Sequence, residues 1–174
     1  MNNSNIEIKP IVEYLKLIEG SNGDGCRAMF EKYQDIFVRA PGSKVKHQAW
    51  EGGYILHLRQ CMALAEFLYE PMKRVGGIDF SLSDAILVLF LHDLEKPFKY
   101  VEGKVFHSDA EKTDFILKQV ELFNINLNLK HINTIKYVHG EGDDYSPSVN
   151  IQWPLSAYVH MCDVASARIW HDLK

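Results

Sequence analysis

Apolar residues recur at three- and four-residue spacing in most segments of this chain, and no segment reads convincingly as a core strand. That period puts one greasy stripe on each helix, so the chain must bury helices against helices. Pro10 can open a first helix, in which Ile11, Leu15 and Ile18 keep the spacing until Gly20. Residues 26–38 predict a second helix, with Met29, Phe30, Tyr33 and Phe37 on one face. A turn-rich passage, APGSKVKHQAWEGG, precedes a long helix from about Tyr54 to Val75, lined by Leu58, Met62, Ala65 and Leu68.

Ser81 with Asp84 has the form of a helix N-cap and an acidic third residue, opening a helix whose apolar run ends in His92 and Asp93. Pro97 then disfavours continuation. A small β-hairpin is compatible with KYVEGKVF, whose turn residues lie between short β-prone runs. Helical spacing returns at about Ser108 to Phe123, at about Leu129 to Val138, and from Pro154 to about His171. HGEGDDYSPSVNIQWP reads as a loop, with Asp143 and Asp144 in a solvated turn. The expectation is one all-α domain over residues 1–174, a bundle of six or seven helices. Its core would span about 47–172, with N-terminal helices at 10–38 packed on it.

The totals exclude some roles. A chain of 174 residues can bury one good core, and 47% apolar with 24% charged residues is ordinary for a globular protein. The net charge of -4 argues against broad polyanion binding, although a local patch could hold a phosphate ester. Cys26, Cys61 and Cys162 are isolated and form no C-x-x-C pair, which argues against a disulfide framework or a zinc ribbon. Met1 to Pro10 is polar and no apolar stretch reaches membrane length, so a cytoplasmic protein without membrane contact is expected. A homo-oligomer is compatible with the sequence.

The chemistry gathers around LFLHDLEKPFKY, residues 89–100. A carboxylate at the end of a greasy helix is costly unless it meets a cation. Asp163 poses the same problem among Tyr158, Val159, Met161 and Val164. His57, early in the long helix, together with His92, Asp93 and Asp163 would solve it by converging on a divalent metal. Mixed nitrogen and oxygen ligation suits Mn²⁺, Fe²⁺, Co²⁺, Ni²⁺ or Mg²⁺ better than a closed zinc site. Adjacent residues at a helix end stand roughly a hundred degrees apart, and a frayed last turn lets both reach one ion.

The segments GGYILH, LHDLEKP, HGE and VHMCD together resemble the HD-domain metal-dependent phosphohydrolases, an all-helical superfamily named for its His/His-Asp/Asp ligands. The resemblance runs from about His47 to Arg168 and implies His57, His92, Asp93 and Asp163 as metal ligands, with one or two ions per site. Within the superfamily it looks closest to the branch with bacterial 3′–5′ exoribonucleases. It also implies His107 and His139 as second-metal or phosphate-binding groups, against helix capping and loop hydrogen bonding as the alternative. His160, one turn before Asp163, would orient it from behind or simply pack, and His47 would line the pocket entrance. His131 and His171 carry no argument beyond solvent exposure.

Relatives mostly read HD-x-Gly-Lys, whereas this chain has Glu95 where they have glycine. Glu95 reads as a solvated charge or as a proton-transfer group, while Lys96 keeps the lysine expected to hold phosphate oxygens. Arg59, Lys99 and Arg168 are weaker candidates for that work. The implied function is a metal-dependent phosphohydrolase acting on a nucleotide phosphate ester. The alternatives are a 3′–5′ exonuclease or phosphodiesterase on single-stranded nucleic-acid ends, and a non-catalytic nucleotide-binding regulatory module. Trp50, Tyr100 and Trp153 would stack on bases of a strand or wall a closed pocket.

Overall fold

The computed structural model describes residues 8–172. Its elements are α1 (Ile11–Leu15), α2 (Gly20–Arg39), α3 (Gly53–Val75), α4 (Leu82–Leu91), α5 (Glu95–Tyr100), α6 (Asp109–Leu122), α7 (Leu129–Tyr137) and α8 (Pro154–Ile169), with a 3₁₀ turn at Gly142–Asp144. The all-α expectation holds. Among the described residues α5 stands as a separate short helix after the His92–Asp93 turn, beside the helices that the spacing implies. Among the described residues there is no strand, so the hairpin expected at KYVEGKVF is absent. Its first two residues, Lys99 and Tyr100, end α5, and the rest is tied back by the Lys104 N–H on the Phe98 carbonyl (3.0 Å).

Helix α4 is the axis of the bundle and contacts α1, α2, α3, α7 and α8. Every residue from Ala85 to Leu91 is buried, which is why this helix lacks a polar face. Its start is fixed by a complete capping box, in which Ser81 Oγ accepts the Asp84 N–H (3.0 Å) and Asp84 accepts the Ser81 N–H (2.7 Å). His131 joins this corner. It is buried rather than solvent-exposed, takes the Asn128 N–H on Nδ1, and donates Nε2–H to Asp84 Oδ1 at 2.8 Å. Replacing Ser81 with Ala is expected to cost about 1 kcal/mol of folding stability, read as a lower urea midpoint at unchanged slope.

Helix α2 begins six residues earlier than its apolar spacing implies. Glycines weaken a helix, so GSNGDG reads as a turn. Here they are required by contact: a Cβ on Gly25 would lie 2.6 Å from the Phe123 carbonyl oxygen, and one on Gly23 would lie 2.1 Å from that of Ile18. Helix α4 ends before Pro97, as expected. Pro97 then sits in the first turn of α5, where no N–H is needed, so it also supports a new helix.

The Gly52–Gly53 pair anchors the turn-rich passage to the start of α3. Gly52 has φ +82°, and a Cβ on Gly53 would meet the Gln48 carbonyl oxygen at 1.9 Å. Gln48 itself is held at φ 41°, unusual for a residue with a side chain. Its side chain is buried against α3 and α8, which brings the 40–53 segment to the end of the bundle where the site lies.

Candidate metal centre

Three packed segments deliver the donors. His57 comes from the second turn of α3, Asp163 from the middle of α8, and His92 and Asp93 from the turn between α4 and α5. Helix α3 packs on both α4 and α8, so these positions meet at one end of the bundle. His57 Nε2 lies 3.5 Å from Asp93 Oδ2 and 3.2 Å from Asp163 Oδ1, and His92 Nε2 lies 3.2 and 3.8 Å from the same two oxygens. One donor atom from each residue falls within 4.8 Å of every other, and all four residues are buried. Donors bound at about 2.1 Å to a single ion stand roughly 3 to 4 Å apart, so the spacing fits a shared cation.

The hydrogen bonds fix which nitrogens are left for it. His92 Nδ1–H donates to the Leu89 carbonyl at 2.8 Å, which leaves Nε2 as the lone-pair atom. His57 Nδ1–H donates to Ser166 Oγ at 2.9 Å, because the Ser166 hydroxyl is spent on Gln60 Oε1 at 2.7 Å. Gln48 closes the network, donating to Gln60 Oε1 at 2.9 Å while its own Oε1 accepts from His47 Nδ1–H at 2.7 Å. His92 Nε2 and Asp93 Oδ1 are then buried without an aligned hydrogen-bond partner. Leaving such atoms unsatisfied costs about 1–3 kcal/mol each, and a divalent ion would satisfy both.

The charges agree. Burial opposes ionisation of Asp93, yet the charges of Lys96 and His92 hold its carboxyl well below the usual range. Burial likewise works against Asp163, and hydrogen bonds from His57 and His92 hold it low. For His92, burial favours the neutral ring, but Asp93 and Asp163 outweigh this and raise it to about 10. Without a metal, a proton on His92 therefore takes the cation's place.

Around this core the other candidates separate. His139 Nε2 stands 3.5 Å from Asp93 Oδ1 and 3.9 Å from Asp163 Oδ2, with its side chain 60% exposed. Lys96 pairs with Asp93 and is only 15% exposed. Glu95 is buried rather than solvated, and burial followed by the Asp93 charge raises its carboxyl. A glycine is not needed there because Glu95 opens α5 and is not among the residues with positive φ. His160 does not orient Asp163: its Nδ1–H donates to the Val138 carbonyl. Arg59 is turned away, donating to the carbonyls of Lys9 (2.7 Å) and Ile8 (2.9 Å). Lys99 is exposed over the Tyr100 ring. His107 is exposed at the start of α6, its N–H on Glu111.

A cavity of about 570 Å³ opens beside the four donors, lined by His47, His139, His160, Asp163 and Arg168 among others. Trp50, Tyr100 and Trp153 do not line it. Sequence reasoning missed Gln60 and Ser166, although a signal existed: each lies three residues after a candidate ligand on the same helix. It also missed Tyr54, whose buried hydroxyl has no hydrogen-bond partner among the described residues and which burial, then the charges of Asp93 and Glu95, pushes far up. Replacing Ser166 with Ala is expected to lower Mn²⁺ affinity about tenfold by freeing the His57 ring, as measured by calorimetric titration.

An all-helical bundle holding a buried His/His-Asp/Asp cluster at one end fits the HD motif. Over 135 residues the chain is 27% identical to the dihydroneopterin 2′,3′-cyclic phosphate phosphodiesterase of Methanocaldococcus jannaschii. The match covers 75% of this chain and 52% of that protein, so the chain spans about half the relative's length. No family model matches the chain. No solved structure matches it either.

Proposed function

We propose that this chain is a metal-dependent phosphohydrolase of the HD type acting on a small nucleotide phosphate ester. The observation that carries the reading is the buried cluster of His57, His92, Asp93 and Asp163 with two orphaned donor atoms, beside a cavity of small-molecule size. The relative's cyclic phosphate diester supports the reaction class. A divalent ion, Mn²⁺, Fe²⁺, Co²⁺, Ni²⁺ or Mg²⁺, held by these four residues would polarise a phosphoryl oxygen and acidify a water.

The chain's own groups supply the rest. Ser166 and the Leu89 carbonyl hold the two imidazoles in the tautomer that presents Nε2. Lys96 keeps Asp93 ionised, and its remaining N–H donors can meet a phosphoryl oxygen. His139, on the exposed rim beside Asp93 and Asp163, is placed to contact the phosphoryl group or a leaving oxygen. Single-stranded ends are the poorer substrate because the aromatic side chains that would stack bases stand outside the cavity.

Product analysis by chromatography tests the proposal. Purified protein with Mn²⁺ is offered nucleoside mono-, di- and triphosphates, a nucleoside 2′,3′-cyclic phosphate and a short labelled oligonucleotide. Turnover of a mononucleotide class supports the reading. Degradation of the oligonucleotide alone would replace it with the exonuclease, and binding without turnover across the metals would replace it with the regulatory module.

A further inference from the structure

The cavity is not symmetric about the metal ligands. Asp163, Val164, Ala167 and Arg168 form one stripe of α8 along its wall, with His160 one turn before and His171 just past the helix end. Arg168 lines it near the end of α8, and Lys46 lines it from the segment before α3, where the Gln48 N–H donates to the His171 carbonyl at 2.9 Å. Arg168 is five residues beyond Asp163, roughly 7.5 Å further along the helix axis before its side chain is counted. Small and apolar Val164 and Ala167 line the wall between them.

Charge counting leaves the far end in surplus. The two carboxylates of the ligand set balance a divalent ion, and Lys96 lies between Asp93 and Glu95. Among the described residues, Asp163 is the only carboxylate on the cavity wall. Among the described residues neither Lys46 nor Arg168 has a carboxylate within ion-pair distance, so no carboxylate neutralises the two cations on this wall. Both are exposed, so folding does not account for their position on this wall. A guanidinium and an ammonium on the wall of one cavity suit a phosphate group.

We infer that Lys46 and Arg168 form a second anion subsite, so that the ligand is a nucleotide carrying a second phosphate apart from the one at the metal. The inference rests on the cavity being the nucleotide pocket, and deepens that reading by naming the substrate class. The scissile phosphate occupies the Asp163 and His139 region, and the second phosphate lies towards the end of α8.

Calorimetric binding of adenosine 3′,5′-bisphosphate, adenosine 3′-monophosphate and adenosine 5′-monophosphate to Mn²⁺-loaded protein, with the recovered nucleotides checked for turnover by chromatography, tests this. Wild type is expected to prefer the bisphosphate by tenfold or more over both monophosphates. The Lys46→Ala/Arg168→Ala double variant should reduce that preference below threefold, whereas Lys44→Ala, an exposed charge on the same turn that does not line the cavity, should keep it. Equal affinity for all three nucleotides, no measurable binding, or a preference surviving in the double variant would overturn the inference. A protein that shows the preference but hydrolyses nothing would sink the hydrolase reading and leave the subsite standing.

Discussion

Asp93→Asn protein is expected to lose metal-supported phosphate-ester turnover below detection and to bind Mn²⁺ at least about a hundredfold more weakly, a larger loss than outer partners of a metal cause. Asp93 sits at the centre of the cluster, within 3.5 Å of His57, His92 and His139 and paired with Lys96. Asparagine keeps its volume, so the α4–α5 turn keeps its packing, but it removes the charge that offsets Lys96 and the protonated His92. Circular dichroism checks that the helices remain, and turnover with added Mn²⁺ checks the loss. Wild-type turnover in the folded variant would show that the chemistry lies elsewhere.

The second large effect concerns pH. In metal-free protein the His92 ring titrates at about 10, so between pH 6 and 8 it carries a proton that a metal must expel. Asp93 and Asp163 stay ionised throughout that window and contribute nothing to its slope. Loss of one proton per metal bound makes affinity rise about tenfold per pH unit, so roughly a hundredfold from pH 6 to 8. Folding stability of the metal-free form runs the opposite way. A folded-state value raised above the ordinary histidine range stabilises fully below about pH 6.5, and that stability fades as pH rises towards 10. Titrations with Mn²⁺ in two buffers of different ionisation enthalpy count the protons released. Affinity flat across this range would mean that His92 is not displaced by the metal.

Much of this was legible in the sequence for a physical reason. A carboxylate beside buried apolar neighbours demands a partner, and both Asp93 and Asp163 announced that demand from helices whose greasy faces set their direction. Ser81 and Asp84 likewise showed where α4 begins, because capping is local chemistry. What stayed hidden depended on contacts made at a distance. Nothing local to GSNGDG reveals that the Phe123 carbonyl presses against Gly25 of α2, so the helix start was misplaced. Glu95 looked solvated because its burial comes from the folding of α5 onto the bundle. Arg59 looked available for phosphate because its targets, the Ile8 and Lys9 carbonyls, lie some fifty positions away. The hairpin expected at KYVEGKVF fails because β-prone runs need a partner, and the chain there makes one backbone bond to Phe98 in its place.

Gln48 illustrates the same limit from the other side. Its φ of 41° and its reach to Gln60 and Ser166 tie the turn before α3 to the tautomer of His57. A residue next to His47 in sequence thus acts on a ligand nine positions later, through a network that spacing alone does not display.

The central claim is that His57, His92, Asp93 and Asp163 hold one divalent ion on which phosphate-ester cleavage depends. The measurement that tests it most directly is elemental analysis of protein reconstituted with Mn²⁺ and desalted, made in parallel on wild type and Asp163→Ala, with turnover read on the same samples. The account predicts at least one ion per wild-type chain, less than a tenth of that in the variant, and turnover that disappears on chelation and returns with added metal. Turnover that survives complete metal removal, or equal metal content in the variant, would contradict it.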